Sequence, residues 1–213
     1  MAIDVLLYDA YGTLWDVHSV MQRCESCWPG KGAQLSLLWR SKQLEATWLR
    51  SLMGRYVPFS TVTREALADA CESLGLIMQK DHESELMGEY LKLATFPDVA
   101  DALMRKAAPK TGILSNGSPD MLEPLVKHSG LKFDAVLSVD AVKVFKPAPQ
   151  VYQLGVEAFG VPKERIGFVT SNFWDAAGAK SFGFTVYWIN RGGAAAGRLG
   201  LQPDRVLKTL AAL

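Results

Sequence analysis

The sequence predicts an α/β protein: a doubly wound parallel sheet with a helical cap inserted after its first strand. Three observations lead there. Residues 3–8 (IDVLLY), 111–115 (TGILS), 133–139 (FDAVLSV), 165–170 (RIGFVT) and 185–190 (TVYWIN) are short apolar runs, mostly without alternation, as parallel strands covered on both faces require. Helical patterns lie between the later runs, at Pro97–Ala108 (with Val99, Leu103 and Met104 apolar), Pro119–His128, Pro149–Phe159 and Trp174–Phe182. Strand and helix therefore alternate with short connections. The stretch 17–93 breaks that rhythm, with several amphipathic helical segments and no strand.

Within the insertion, Gln34–Met53 is the longest helical pattern, and Leu37, Leu38, Leu44, Trp48, Leu49 and Leu52 fall mostly on one stripe. Thr61–Leu74 and His82–Leu93 follow, and Trp28-Pro-Gly-Lys-Gly32 breaks the chain between helices. The expected division is a core of 1–16 and 94–213, with a cap of 17–93. A chain of 213 residues suits one domain with a smaller insertion. Lys and Arg total 23 against 22 Asp and Glu, a net charge of +1, which gives no electrostatic case for nucleic acid or an anionic membrane as partner. No apolar stretch approaches the roughly 18–20 residues that span a bilayer. Asp4 sits where a secretory signal needs a cationic start and an apolar run. Cys24, Cys27 and Cys71 do not resemble a disulfide framework, so a reducing cytoplasmic setting is expected.

Four short segments carry polar groups suited to chemistry. Asp9-Ala-Tyr-Gly-Thr13-Leu14 leaves the first strand, where open parallel sheets bind their ligands. An Asx-turn aspartate would look the same. Ser115-Asn116-Gly-Ser118 leaves the second run, and suits either an anion at a helix N-terminus or a plain helix cap. Lys146 precedes Pro147 and is thereby pushed into extended backbone, in a site or in a solvated loop. Thr170-Ser-Asn172-Phe-Trp174-Asp175 opens a helix whose AAGA segment permits close packing; N-capping explains it equally when it is read alone. Together the four segments set an acid, a Ser/Asn pair, a Lys and an Asn/Asp pair after strands that share one sheet edge.

With those residues in hand, the chain resembles the haloacid dehalogenase superfamily, with its Rossmann-like core, and within it the L-2-haloacid dehalogenases. Asp9, Gly12, Thr13 and Leu14 match the superfamily's D-x-x-G-T-L, and Ser115, Lys146 and Asp175 match its three later motifs. Leu38-Trp-Arg40, Gln43-Leu-Glu45 and Thr47–Met53 are similar to the dehalogenases' cap helix. The resemblance runs over nearly the whole chain. It implies hydrolysis of short (S)-2-haloacids to (R)-2-hydroxyacids and halide through an ester on Asp9, with no metal and no organic cofactor. By the same resemblance Arg40 and Asn116 receive the halide beside Phe59. Ser115 and the backbone around Ala10 and Tyr11 hold the substrate carboxylate. Thr13 and Lys146 orient Asp9, and Thr170, Asn172 and Asp175 serve the hydrolytic water. Tyr11, Leu44, Phe59 and Trp174 match the family's apolar wall. A homodimer is also implied, in keeping with the apolar helix at 34–53.

Phosphatases of the same superfamily need a second Asp two residues after the nucleophile to protonate the leaving alkoxide, and that position here is Tyr11. They also present paired acids after the last catalytic strand, where this chain has Thr170, Ser171 and Asn172 and leaves Asp175 as the sole carboxylate. A hard divalent cation wants more oxygen ligands than that. Halide leaves without a proton, so the missing acid costs a dehalogenase nothing. Two departures from the family pattern stand out: Thr170 replaces a Ser of some members, and Ser41 stands where Gln is expected, which would enlarge the pocket or alter substrate range. Cys24-x-x-Cys27 with His18 and Cys71 lacks a second close ligand pair for zinc. Gly192–Gly197 imitates a phosphate loop but is followed by Arg198 and Leu199 rather than Lys and Ser/Thr. His18, His82 and His128 form no metal or triad pattern.

Overall fold

The computed structural model describes residues 2–105 and 107–213. In chain order the elements are β1 (Val5–Tyr8), α1 (Met21–Cys27), α2 (Gly32–Leu52), α3 (Phe59–Ser73), α4 (Lys80–Tyr90), α5 (Val99–Met104), β2 (Lys110–Ser115), α6 (Pro119–Ser129), β3 (Ala135–Ser138), α7 (Pro149–Phe159), β4 (Ile166–Thr170), α8 (Phe173–Phe182), β5 (Thr185–Ile189) and β6 (Arg205–Leu207). They form two compact units, one of Met1–Trp15, Thr95–Asn116 and Leu131–Leu213, the other of Asp16–Ala94 and Gly117–Gly130.

The first unit holds a six-stranded sheet in the order β3-β2-β1-β4-β5-β6, parallel throughout. Strands β1 and β4 are buried along their whole length, which explains runs of Val, Ile, Leu and Phe without polar alternation. From β1 the chain moves outward through β2 and β3, then returns to lay β4 on the other side of β1. The order thus reverses between β1 and β4, and the loops leaving these two strands open a crevice at the carboxyl edge. Tyr8 pairs with Ile113 of β2 and Val169 of β4, so Asp9 emerges level with Thr170 and with Leu114, one residue before Ser115.

Five strands fall on the five apolar runs, four trimmed at their ends and β2 extended by Lys110. The sixth, β6, is three residues long and has no apolar run to announce it. Asp204 sets it in place: its carboxylate accepts from Val186 N at 2.8 Å and binds Lys180 Nζ at 2.7 Å. The helix expected over Pro97–Ala108 is only Val99–Met104, and Met104, expected to face inward, is 73% exposed. Position 106 of that expectation lies outside the described residues. The Gly192–Gly197 segment is exposed coil with no helix after it.

Helices α1–α4 and α6 make up the second unit. The segment 117–130, which the expected division gave to the core, is thus grouped with these helices. Helix α6 packs on α3, where Ser118 Oγ accepts from Ser60 N at 3.2 Å and the Thr63 hydroxyl meets Met121 Sδ. Helix α1 is the helix implied before the break at 28–32, for which the sequence offered no bounds. The break after it is as expected, and Glu25 closes that turn by accepting from Gly30 N and Gly32 N. The buried face of α2 is not the leucine stripe but Leu35, Ser36, Trp39, Gln43 and Thr47. Leu37 is 61% exposed and Leu52 85%. Polar Gln43 and Thr47 can face inward because each finds a partner there, Thr63 Oγ1 at 2.7 Å and Leu44 O at 2.6 Å. A count of apolar residues passes over such a face.

Candidate active site

Asp9 follows β1 and is almost wholly buried. The turn beyond it needs Gly12 at φ +87°, a conformation that suits glycine, and it folds Thr13 back over the carboxylate. Oδ2 of Asp9 accepts from Thr13 Oγ1 at 3.0 Å, Thr170 Oγ1 at 3.2 Å and Asn172 Nδ2 at 2.7 Å, while Oδ1 accepts from Lys146 Nζ at 3.1 Å. Among the described residues every donor to this carboxylate is a side chain, so Asp9 is not an Asx-turn residue. Asn172 likewise stands at the N-cap of α8 but makes no side-chain cap bond. Its amide goes instead to Asp9 and to Tyr11 O at 3.1 Å.

Lys146 is not a solvated loop residue; it is 1% exposed. Asn116 Oδ1 accepts from its backbone N at 2.9 Å, and its ammonium lies 4.8 Å from the centre of the Phe168 ring. Nζ reaches Asp175 Oδ2 at 2.8 Å as well as Asp9, and so bridges two buried carboxylates. Burial works against its charge, but Asp175 and Asp9 outweigh that and hold the ammonium above its ordinary range. Burial pushes Asp175 up to about 6, with Lys146 pulling it down and Asp9 adding to the rise. Tyr152 donates to Asp175 Oδ1 at 2.8 Å, and burial beside that carboxylate raises its phenol well above the usual range.

The sheet unit therefore brings together Asp9, Thr13, Lys146, Thr170, Asn172 and Asp175. Ser115 ends β2 fully buried, Asn116 follows it, Ala10 and Tyr11 are buried in the loop after β1, and Trp174 is half-buried in the first turn of α8. Arg40, Leu44 and Phe59 belong to the helical unit. There Arg40 is half-buried and donates to Gln43 Oε1 at 2.7 Å, and Phe59 is buried at the start of α3. Ser41 is exposed on α2.

Comparison with known proteins identifies the family. A family model described as haloacid dehalogenase-like hydrolase matches residues 3–183. The chain is 48% identical over 212 residues to the (S)-2-haloacid dehalogenase of Pseudomonas sp. (strain YL), covering 98% of this chain and 91% of that one. The chain belongs to the L-2-haloacid dehalogenase family. It is similar, too, to the haloacetate dehalogenase H-2 of Moraxella sp. (strain B), 45% identical with 99% of this chain and 96% of the relative covered. The L-2-haloacid dehalogenase of Xanthobacter autotrophicus superposes with a TM-score of 0.90 at 41% identity, over 98% of this chain and 96% of that one, and has been solved with chloropropionic acid covalently bound. This dehalogenase-family chain is accordingly an enzyme of the carbon–halide hydrolase class.

Sequence reasoning missed two polar residues of the dehalogenase's sheet unit. Tyr152 lies on α7 among the inward positions Val151 and Gly155 and reads as core. The available signal is that a buried tyrosine must find a partner for its hydroxyl. Gly178 on α8 admits it, since a Cβ there would collide with Tyr152 Oη. The second, Arg191, follows β5; its guanidinium lies 4.1 Å from the centre of the Phe96 ring and bonds Asp98 at 2.9 Å. No local pattern marks it.

Proposed function

We propose that this enzyme hydrolyses short (S)-2-haloacids to (R)-2-hydroxyacids and halide without a metal ion, through an ester on Asp9. The observation that carries the reading is the surroundings of Asp9 Oδ2, which faces three hydrogen donors, the Asn172 amide among them. A divalent cation at that oxygen would need lone pairs from its neighbours. The charge such an ion would offset is balanced instead by the Lys146 ammonium between Asp9 and Asp175. Tyr11 supplies no acid for an alkoxide leaving group, and halide needs none.

Oδ2 is filled by its donors, and Oδ1, held among the described residues by Lys146 alone, keeps a lone pair for substitution. In the first step a bond forms from Oδ1 to C2 as the carbon–halogen bond breaks on the opposite side; the halogen departs with the electron pair and C2 inverts. Arg40, with Asn116 and Phe59 beside it, receives the anion, a task suited to a guanidinium that never loses its charge. Asn116 Oδ1 is held by Lys146 N, which leaves the Nδ2 amide as the donor. Ser115 and the N–H groups around Ala10 and Tyr11 hold the substrate carboxylate, and Tyr11, Leu44, Phe59 and Trp174 surround its alkyl group. In the second step water attacks the aspartyl carbonyl carbon, with Thr170, Asn172 and Asp175 placing it. One of the water's protons passes to Asp175 and the other to the departing oxygen as the ester bond to Asp9 breaks; the hydroxyacid leaves and Asp9 regains its carboxylate.

The test is halide release from L- and D-2-chloropropionate with EDTA present. Release from the L form alone is expected; chelator-sensitive release of phosphate from a phosphomonoester overturns the reading. Single-turnover reaction in ¹⁸O-labelled water is expected to label the hydroxyacid little and Asp9 strongly.

The partner is a small haloacid, with no nucleic acid or membrane. Among the described residues no helix is long and apolar enough to cross a bilayer, and the three cysteines are free, which supports a cytoplasmic setting. The helical unit, with 17–93 as its bulk, acts as the cap that brings Arg40 to the reaction. Leu37, Leu49, Leu52 and Met53 expose an apolar face on and just past α2, which supports a homodimer formed through it. Light scattering of the purified protein is expected to give twice the chain mass.

A further inference from the structure

We infer that Arg191 is a positioning residue for this reaction, setting the two loops that hold Asp9 against one another; the inference rests on Asp9 being the nucleophile. Arg191 touches neither Asp9 nor any group assigned to substrate through its side chain. Its Nη1 donates to Ser171 Oγ at 2.9 Å, in the loop after β4, and its Nη2 to Thr13 O at 3.2 Å, in the loop after β1. Ser171 N in turn donates to Thr13 Oγ1 at 2.8 Å. That hydroxyl has one proton, and with an N–H arriving at its oxygen the proton goes to Asp9 Oδ2, 3.0 Å away. A continuous relay therefore runs from Ser171 N–H through the Thr13 hydroxyl to the carboxylate, and Arg191 grips both loops that make it.

The grip is itself held from two sides. Asp98 Oδ1 takes the guanidinium at 2.9 Å, and Asp98 Oδ2 accepts from Thr209 Oγ1 at 2.7 Å and Leu210 N at 2.8 Å. The Phe96 ring covers the guanidinium face. Trp188 Nε1 donates to Ser171 O at 3.1 Å, so Ser171 is bound at its amide, its carbonyl and its hydroxyl. Only a planar fork of donors can serve Ser171, Thr13 and Asp98 together; a lysine's point charge can keep Asp98 and lose the rest.

The experiment compares the full-length enzyme with Arg191→Gln and Arg191→Lys. It measures halide release from L-2-chloropropionate well below each unfolding midpoint, and deuterium exchange of the peptide carrying the Ser171 amide. In Arg191→Gln kcat is expected to fall about 10- to 100-fold with KM within about twofold, because a nucleophile misplaced by a fraction of an ångström loses rate rather than binding. Exchange at Ser171 is expected to speed up. Arg191→Lys is expected to recover thermal stability through Asp98 without recovering kcat. Unchanged kcat per folded Arg191→Gln enzyme, or a kcat in Arg191→Lys that returns along with stability, reduces Arg191 to a structural brace and overturns the inference. Should the unaltered enzyme release no halide, the dehalogenase reading fails and the role in catalysis goes with it. The exchange measurement then judges the loop contact alone, and unchanged protection at Ser171 overturns that as well.

Discussion

The carboxylates at the sheet edge and the thiols among the helices are buried alike, yet burial leaves them in opposite chemical states. Asp9 and Asp175 share the Lys146 ammonium, and Asp175, though pushed up to about 6 by burial, still ionises below neutral pH. Cys24 rises: burial first, then Cys27 and Cys71, push it up to about 12. Cys71 rises to about 11 for the same reasons, and Cys27 rises as burial and Glu85 outweigh Arg23. Reactive side chains taken out of water keep their charge only where an opposite charge is buried with them. The first cluster suits the roles proposed for it; the second is packing material with a sulfur atom.

The contrast can be broken most severely at its centre. Asp9→Asn removes the proposed nucleophile and is expected to lower halide release on the order of 10⁴-fold or more, measured with an ion-selective electrode. Lys146→Met leaves two carboxylates buried without their cation. It is expected to abolish turnover and to cost about 3–5 kcal/mol of stability in a urea titration. Unchanged stability would mean that Lys146 contributes nothing to holding the pair.

Milder changes sharpen the comparison. Below about 6 Asp175 takes up a proton, which weakens its hold on Lys146 and removes it as an acceptor for the water's proton. The kcat–pH profile is expected to fall with unit slope on that acid side. Lys146, held above its ordinary range, keeps the alkaline side flat through pH 9. Tyr152→Phe removes a donor that favours the ionised form of Asp175, so its acid limb is expected to move to higher pH; no movement would detach Asp175 from the limb. The smallest effect is expected at the thiols. Iodoacetamide at pH 8 should leave Cys24 and Cys71 unmodified and halide release unchanged, since neither forms thiolate there.

Much of the site is legible because it is local. Asp9, Ser115, Thr170 and Asn172 each leave a strand within a residue or two, and parallel pairing in register gathers strand ends whatever the intervening chain does. Lys146, just ahead of a proline, reads equally as loop when taken alone, and its reading as a site residue rests on the other segments and the family resemblance. Tyr152 and Arg191 lack such markers: one lies mid-helix among core residues, and the other follows β5 in a polar turn. Helix α2 shows a different failure. Its leucines form the obvious stripe, yet the buried face carries Gln43 and Thr47, acceptable only because Thr63 and the Leu44 carbonyl are there to meet them.

By itself the sequence determined the alternation of strands and helices, the helical insertion after β1 and the family of motifs at the strand ends, since each depends on residues close together in the chain. Tertiary structure alone decided that 117–130 joins the helices, that Asp204 anchors a sixth strand, and that one ammonium stands between two carboxylates. Those outcomes turn on partners far apart in sequence. The energy of a buried polar group is set by what it meets, and no spacing along the chain records that meeting.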